Sequence, residues 1–172
     1  VRAKKSQYIP TVFTKDEINS ILDHLRGEYW LMVKIMYGAG LRSGEVLDLR
    51  IKDIDFGMKR IMVRQAKGKN DRIVPLPESV VDRLQRQIET TKKTHEQDLR
   101  EGAGSVKMPD ALDKKYPRAA FEFGWQWVFP ASRRYTIEAT GVQQRWHRDE
   151  SALSDMVKIA VRKAGIVKHA KC

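Results

Sequence analysis

The sequence has 172 residues, and its 33 lysine and arginine residues outweigh 22 aspartate and glutamate residues, giving a formal net charge of +11. Its length and its hydrophobic content of 41% fit one domain with a substantial core. No apolar run approaches the length that crosses a bilayer, so we expect no membrane association. The single cysteine, Cys172, excludes a disulfide framework within these residues and favours a reducing, cytoplasmic setting. The positive charge favours nucleic acid as the partner, against the alternative of a merely soluble basic protein.

The first two predicted helices follow a basic linker. We interpret residues 1–10 as an exposed linker between domains. A capping-box sequence begins at Thr14 and predicts a helix to about Arg26, which Gly27 ends. The next helix, over 28–37, is apolar almost all round, which predicts that it is buried with its three aromatic side chains in the core.

Residues 38–77 predict a short helix followed by a β-hairpin. The helix carries Arg42 near its start, and Ser43 is a candidate N-cap. Two runs of strand character, 60–64 and 72–75, are joined by a short connection rich in turn residues, which predicts a hairpin. This connection presents two lysines at the hairpin tip.

Arg42, Lys67 and Lys69 are the candidate site residues of this stretch. An arginine fork can hold two phosphate oxygens at once, and a lysine on a rigid hairpin can protonate a leaving oxygen. The alternative for Arg42 is a surface salt bridge with Glu45 or Asp48, and the alternative for Lys67 is an ordinary solvated lysine. The residues alone leave these alternatives open.

The second half of the chain begins with a predicted helix over 78–101. Its first turns are amphipathic, but its later turns are polar, and we expect them to project into solvent with His95 exposed. A short helix is predicted within 110–116. The run 128–130 has strand character, and we expect it to join the hairpin as the third strand of an antiparallel sheet.

A basic segment and a final helix complete the predicted elements. Residues 132–148 predict a basic loop or hairpin with Gly141 at a turn. The last helix, capped by Asp149 or Ser151, extends to about Ala164.

Two segments carry the strongest motif signals. They read Gly40-Leu41-Arg42-Ser43-Gly44-Glu45-Val46 and Lys67-Gly68-Lys69-Asn70-Asp71-Arg72-Ile73-Val74-Pro75-Leu76. These segments resemble the tyrosine recombinases of the phage integrase type. Within that family, the segment from Tyr116 to Arg134 resembles the insertion that distinguishes the integron integrases.

The resemblance covers the chain from Tyr8 onward. It implies a mainly α-helical α+β fold with a small three-stranded antiparallel sheet. It also implies that residues 11–172 are part of a recombinase catalytic domain, with the integron-type insertion at about 105–148.

The resemblance implies phosphoryl transfer on DNA without a metal or a nucleotide cofactor. In this family a tyrosine attacks a DNA phosphodiester, forms a 3′-phosphotyrosyl link and releases a 5′-hydroxyl. The first catalytic arginine falls on Arg42, which would stabilise charge on the nonbridging oxygens, and the hairpin lysine falls on Lys67, which would protonate the leaving oxygen. We interpret Glu45 as a residue that orients an arginine. The full protein would be a site-specific recombinase that integrates DNA and recombines gene cassettes.

The resemblance also implies recognition of folded single-stranded DNA hairpins through bases that protrude from the stem. Base stacking on Trp125 and Trp146 is one interpretation; packing of the insertion onto the core is the other, which we favour for Trp127. The family usually carries two histidines where this chain has Arg145-Trp146-His147, and only His147 remains. The arginines of this region are either phosphate contacts or a solvated basic rim. The predicted DNA-binding residues are Lys69, Arg72, Arg133, Arg134, Arg145, Trp146, His147 and Trp125.

We expect the sequence to be the N-terminal part of a catalytic domain, because nothing in it matches the family's His-x-x-Arg box or its tyrosine nucleophile. His169 is rejected as the box histidine, since Cys172 stands where the arginine belongs. We therefore expect this chain alone to be a monomer or weak dimer that does not cleave DNA, and the full protein to be a tetramer on DNA. The alternatives are a truncated remnant that only binds DNA, or a basic scaffold that docks an acidic protein.

Overall fold

A computed structural model describes residues 11–66, 70–109 and 112–168. Its α-helices are α1 (Lys15–Asp23), α2 (Gly27–Ala39), α3 (Ser43–Leu47), α4 (Val81–Arg100), α5 (Leu112–Lys115) and α6 (Glu150–Lys163). Its strands are β1 (Ile54–Asp55), β2 (Arg60–Ala66), β3 (Asn70–Pro75), β4 (Pro130–Thr136) and β5 (Gln143–His147). The fold is mainly helical with two small antiparallel sheets, which confirms the predicted α+β class.

The start of α1 is the predicted capping box. The Thr14 hydroxyl accepts a hydrogen bond from the Glu17 N–H at 3.2 Å, and the Glu17 carboxylate accepts one from the Thr14 N–H at 2.8 Å. The helix ends at Asp23 rather than Arg26, and the Arg26 guanidinium donates to the Asp23 carbonyl at 2.5 Å, which satisfies one of the last carbonyls of the helix. Gly27, with φ +56°, does not end α1 as predicted but begins α2.

Helix α2 crosses the core, as its sequence predicts. Leu31, Met32 and Ile35 are almost completely buried. The prediction for the aromatic residues was wrong for Tyr37, which is 49% exposed. It lies in the last turn of α2, where the helix leaves the core before the left-handed Gly40 turns the chain toward α3.

The β-hairpin is formed by β2 and β3 as predicted. Ile61 lies opposite Val74, Met62 lies opposite Ile73, and the register shifts between Val63 and Ala66. The third strand of this sheet is β1, since Ile54 pairs with Ile61.

The expectation that 128–130 would be that third strand was wrong. The short turn between β1 and β2 puts β1 on the edge of β2. Val128 instead donates its N–H to the Leu49 carbonyl at 2.9 Å, and Trp127 forms an isolated bridge with Arg50. Pro130 already belongs to β4, which pairs with β5 in a separate basic hairpin.

One main core lies between the helices and the three-stranded sheet. Helices α1, α2, α3 and α6 contribute to it, together with the inner face of β2 and the start of α4. Burial of these apolar side chains is the main stabilising contribution to the fold. The largest completely buried side chains include Leu25, Met32, Ile35, Ile61, Leu84, Phe129 and Leu153.

One face of the later turns of α4 is buried, at Thr91, His95 and Asp98, whereas most other side chains of these turns are exposed as predicted. The expectation that His95 is exposed was wrong. His95 and Asp98 are only 6% and 4% exposed. The segment after α4 and the β4–β5 hairpin fold back onto this half of the helix, so that Phe121 contributes its carbonyl oxygen 3.0 Å from His95 Nε2. In the described part of the chain, no helix is long and apolar enough to span a bilayer.

The last helix begins at one of the two predicted caps. Asp149 is the N-cap of α6, and its carboxylate accepts the Ser151 N–H at 2.7 Å. Gly165 follows the helix with φ +69°, as expected for a residue that ends a helix. The predicted short helix within 110–116 is α5.

Candidate functional site

The start of α3 presents Arg42 at the surface. Arg42 is the N-cap residue, and Ser43 is the first helical residue rather than the cap that the sequence predicted. The reason is that Glu45 performs the capping, since its carboxylate accepts the Arg42 N–H at 2.8 Å. The Ser43 hydroxyl is instead bonded to the Glu150 carboxylate at 2.5 Å, which ties α3 to the start of α6.

Glu45 holds two arginines from different elements. Arg42 donates from Nη1 to Glu45 at 2.8 Å, and Arg72 of β3 donates from Nη1 and Nη2 to both carboxylate oxygens at 2.8 and 2.7 Å. The hydrogen bonds from Arg72 are the main reason why the pKa of Glu45 falls to about 2. The Glu45 carboxylate is thus an anchor for both guanidinium groups at neutral pH.

The two arginines differ in what they offer to a ligand. The side chain of Arg42 is 62% exposed and uses one nitrogen on Glu45, whereas Arg72 is 34% exposed and faces Glu45 with its whole fork. The exposed guanidinium of Arg42 can therefore grip an anion, while Arg72 adds positive charge beside it.

The hairpin lysines Lys67 and Lys69 lie outside the described residues. The strands on either side are described and paired as far as Ala66 and Asn70. The stem below them is held by Asp53, which is 3% exposed.

Asp53 is a contact residue that the sequence analysis did not single out. One of its carboxylate oxygens accepts from Arg64 Nε of β2 at 2.5 Å, and the other accepts the Arg50 N–H at 3.0 Å. The spacing of Arg50 and Asp53 is the local signal that could have found it, because an aspartate three residues on can cap a short turn.

Four residues form an aromatic cluster, defined here as Trp127, Tyr135, Trp146 and His147. The ring centroids of Trp127 and Trp146 are 5.4 Å apart, and Tyr135 meets Trp146 edge-on at 6.4 Å. Trp127 is 5% exposed, which confirms the expectation that it is a core residue. Trp146 and His147 are half-buried, and Lys107 Nζ lies 5.4 Å from the Trp146 ring centroid.

His147 is held at the edge of this cluster by polar contacts. Its Nδ1 lies 2.7 Å from the Arg148 carbonyl oxygen, and its Nε2 lies 3.5 Å from the Asp48 carboxylate. Burial is the main influence that raises the pKa of Asp48, although the nearby His147 opposes it. The side chain of Asp48 is 64% exposed, so solvent weakens both influences on its pKa.

Trp125 belongs to a different group of contacts. It packs with a small second core of Met108, Ala119 and Ala120, and Lys52 Nζ lies 2.8 Å above its ring centroid. The structure therefore separates Trp125 from the ring contacts around Trp146.

The three predicted arginines of the β4–β5 hairpin have unequal surroundings. Arg145 is 14% exposed; its Nε and Nη2 donate to Asp98 at 2.8 and 2.7 Å, and its Nη1 donates to the carbonyls of Ala131 and Ser132. Arg134 is bonded to Glu101 at 2.6 Å. Arg133 is exposed, whereas Arg134 and Arg145 are half-buried, so Arg133 is the one of the three best able to contact a phosphate.

The described residues offer no candidate metal centre. No group of three or more histidine, cysteine, aspartate or glutamate side chains within them is arranged to hold a metal ion. The chemistry of this surface is that of guanidinium groups, ammonium groups and aromatic rings.

Comparison with known proteins identifies the family. Residues 11–171 match the family model described as the phage integrase family. The chain belongs to the phage integrase family of tyrosine recombinases. Proteins named integrase/recombinase from Escherichia coli and Pseudomonas aeruginosa are each 40% identical over 169 residues, which cover 98% of this chain and 50% of each relative. The chain therefore spans about half the length of these relatives.

More distant recombinases share part of the sequence and the fold. The tyrosine recombinase XerA of Pyrococcus horikoshii is 34% identical over 87 residues, covering 49% of this chain and 30% of that protein. A crystal structure of XerA recombinase superposes with a TM-score of 0.59 at 23% identity, over 99% of this chain and 48% of that one. The structure of the integrase of mycobacterium phage Brujita superposes with a TM-score of 0.55 at 18% identity, over 98% of this chain and 42% of that one. The fold is that of part of a tyrosine-recombinase catalytic domain.

Proposed function

We propose that this chain is the DNA-binding part of a site-specific tyrosine recombinase that acts in DNA integration and recombination. The observation that carries the proposal is the pair of guanidinium groups of Arg42 and Arg72 on one carboxylate, that of Glu45, whose side chain is 11% exposed, in a chain of this family with a net charge of +11. Two fixed cations on a rigid frame suit a phosphodiester, whose nonbridging oxygens accept charge-assisted hydrogen bonds.

The proposed roles follow from the exposure of each group. Arg42 binds a nonbridging oxygen of the scissile phosphate, and Arg72 with Glu45 holds Arg42 in place. In the strand-cleavage step, a tyrosine supplied by the whole recombinase releases its hydroxyl proton to solvent, and its oxygen attacks phosphorus. The bond from phosphorus to the 5′ oxygen breaks, and Lys67 donates a proton to that leaving oxygen. The five tyrosines of this chain are not proposed as the nucleophile.

A second part of the proposal concerns the DNA surface. We propose that Lys69 and Arg133 contact phosphates, because phosphate contacts position a protein on nucleic acid without reading its sequence. Trp146, His147 and Trp125 are proposed to stack on unpaired bases of folded single-stranded hairpins, as in an integron integrase. The half-buried Trp146, with Lys107 beside its ring, supports stacking at the aromatic cluster. The internal bonds of Arg145 and Arg134 support a bracing role for these two side chains instead.

The experiment is a binding titration of the 172-residue chain by fluorescence anisotropy. The probes are a labelled DNA stem–loop with one unpaired base in its stem and a linear duplex of the same stem sequence. We expect binding that weakens steeply as salt rises, with a preference for the stem–loop. Weak, salt-insensitive binding to both probes would contradict the proposal and favour a basic scaffold that docks an acidic protein.

A covalent trap separates binding from cleavage. We expect the 172-residue chain to form no denaturation-resistant adduct with a nicked stem–loop substrate. An adduct in a denaturing gel would show that one of the chain's own tyrosines is a nucleophile and would overturn the assignment of the nucleophile to the rest of the recombinase.

A further inference from the structure

Arg50 is a buried cation at the junction between the three-stranded sheet and the segment that follows α4. It is 7% exposed, its Nη1 donates to the Trp125 carbonyl at 2.7 Å, and its Nη2 donates to the Lys107 carbonyl at 2.8 Å. Its guanidinium carbon lies 3.3 Å from the Trp127 ring centroid. Removing a cation from water is unfavourable unless its donors are satisfied, and here main-chain oxygens and one aromatic face satisfy them. Arg50 therefore fixes the main chain at Lys107 and Trp125 and the Trp127 ring of the aromatic cluster.

The main chain of Arg50 is connected to the lysine hairpin. Its N–H donates to the buried Asp53 carboxylate, whose other oxygen accepts from Arg64 Nε at 2.5 Å. Arg64 lies in β2, three positions before Lys67. We call this chain of contacts the Arg50–Asp53–Arg64 link.

The link has the physical properties that coupling requires. Arg50 and Asp53 are almost completely buried. The contacts of the link run without interruption from the Trp127 ring to β2 in the stem of the hairpin. Packed side chains and hydrogen-bond networks of this kind can transmit a change in one element to another. The outer end, Arg64, is 38% exposed, so it can be changed without opening the core.

We propose that Arg50, Asp53 and Arg64 are positioning residues that couple nucleic acid bound at the aromatic cluster to the placement of strand β2, which leads to the lysine hairpin. The inference rests on the proposed function, since it takes Trp146 as a nucleic-acid contact and the hairpin lysine as part of the reaction. The residues act through other groups and touch no substrate themselves.

The test is a double-mutant cycle on binding of the labelled stem–loop to the 172-residue chain. The first substitution is Trp146→Ala in the cluster, and the second is Arg64→Gln at the open end of the link. Each single variant changes Kd by a certain factor. We expect the Kd of the double variant to differ by at least about threefold from the value obtained by multiplying these two factors, because the effects of coupled residues are non-additive. A structural loss at either site alone, or a direct contact of Arg64 with phosphate, would give additive effects.

The matched control is Arg60→Gln. Arg60 lies on the same strand as Arg64, and its side chain is 44% exposed, compared with 38% for Arg64. Arg60 is also paired with a carboxylate, since its Nε lies 3.1 Å from Asp55. Among the described residues, its side-chain hydrogen bond and ion pair are with Asp55 and not with a member of the link. We expect Arg60→Gln to combine additively with Trp146→Ala.

Two further variants keep the test decisive. Arg64→Lys retains the charge and is expected to restore part of the coupling, whereas Asp53→Asn keeps the shape of the side chain and is expected to abolish it. Additive effects within about twofold for both Arg64→Gln and Asp53→Asn would overturn the inference while leaving the proposed function intact. If the unaltered chain does not bind the stem–loop at all, the proposed function fails, and the inference fails with it.

Discussion

Arg72 and Glu45 form a two-bond salt bridge that joins the hairpin to the short helix α3. The distances are 2.8 Å from Nη1 to Oε1 and 2.7 Å from Nη2 to Oε2. Because Glu45 also accepts from the main chain and the side chain of Arg42, one carboxylate sets the positions of two cations that are distant in sequence. The geometry gives a physical reason why the arginine motif and the hairpin motif occur together in this chain.

The first prediction concerns the pH dependence of this carboxylate. The pKa of Glu45 is lowered from 4.5 to about 2 in the folded protein, so its contribution to stability is present above about pH 5 and is lost as pH falls toward 2. For a shift of this size the contribution is at most about 3 kcal/mol. We expect Glu45→Gln to lower the free energy of unfolding at pH 6 and to differ less from the unaltered chain at pH 3, measured by urea denaturation.

Glu78→Gln is the control for that prediction. Glu78 is 85% exposed and is bonded to Lys59 at 3.0 Å, a surface pair that contributes little. We expect this variant to follow the pH dependence of the unaltered chain. A stability loss for Glu45→Gln that is the same at pH 3 and pH 6 would show that the loss arises from packing rather than from the charge.

The local elements of this fold could be predicted from the sequence because their signals lie a few positions apart. The capping box at Thr14, the hairpin of β2 and β3 and the cap of α6 are of this kind. The burial of His95 and Asp98 could not be predicted, because it depends on a hairpin that folds back onto α4. Asp98 and Arg145 are 47 positions apart, and neither carries a local sign of the other.

The candidate site also contains residues that the sequence could predict and residues that it could not. The arginine and hairpin motifs could be found from residue types and order, and Glu45 could be inferred as a partner of an arginine. The side-chain contacts of Arg50 could not, because a buried arginine that bonds main-chain oxygens looks like any surface arginine in the sequence. The pairing of residues 128–130 could not be predicted either, because it depends on β1 already occupying the edge of β2.

The second prediction separates two arginines of the β4–β5 hairpin. Arg145→Met removes the bidentate partner of Asp98 and leaves a nearly buried carboxylate, with Arg134 no closer than 3.7 Å. Breaking a buried pair in this way typically lowers stability by about 3–5 kcal/mol. The exposed Arg133 is the control, since Arg133→Met is expected to change the free energy of unfolding by no more than about 0.5 kcal/mol.

DNA binding is expected to rank these two variants in the opposite way. At a temperature where both are folded, Arg133→Met should weaken binding of the stem–loop more than Arg145→Met does, because only Arg133 is open to a phosphate. In chemical denaturation, equal losses in the free energy of unfolding for Arg145→Met and Arg133→Met would refute the structural role of the Asp98–Arg145 pair.

The third prediction concerns His95. Burial is the main influence that lowers the pKa of His95 from 6.5, although the Phe121 carbonyl and Asp98 oppose it. The folded state therefore favours the neutral ring. The free energy of unfolding does not depend on this ring above about pH 6.5, and it decreases as pH falls below that value, because the unfolded state binds the proton more readily. The slope of the free energy of unfolding from this one proton is at most about 1.4 kcal/mol per pH unit.

His95→Gln tests this dependence, since a glutamine amide does not titrate and can still donate to the Phe121 carbonyl. We expect its melting temperature to fall less between pH 7 and pH 5.5 than that of the unaltered chain. The exposed His24 provides the comparison, and His24→Gln should retain the original dependence. Parallel curves for all three proteins would exclude His95 as a source of the pH effect.

The last prediction concerns Arg42 and the salt dependence of DNA binding. Arg42→Gln removes one proposed phosphate contact, so we expect weaker binding to every DNA probe and a decrease of about one in the slope of log K against log salt. Arg42→Lys should keep most of the slope but lose affinity, because an ammonium group cannot form the two parallel bonds of a guanidinium. The fold should tolerate both changes, since Glu45 keeps its bidentate bond to Arg72 and Arg42 is 62% exposed. Arg83→Gln is the control, because Arg83 stacks on Trp30 at 3.9 Å and is not part of the proposed DNA surface. If Arg83→Gln lowers the slope as much as Arg42→Gln does, binding follows the net charge of the chain and not a phosphate contact at Arg42.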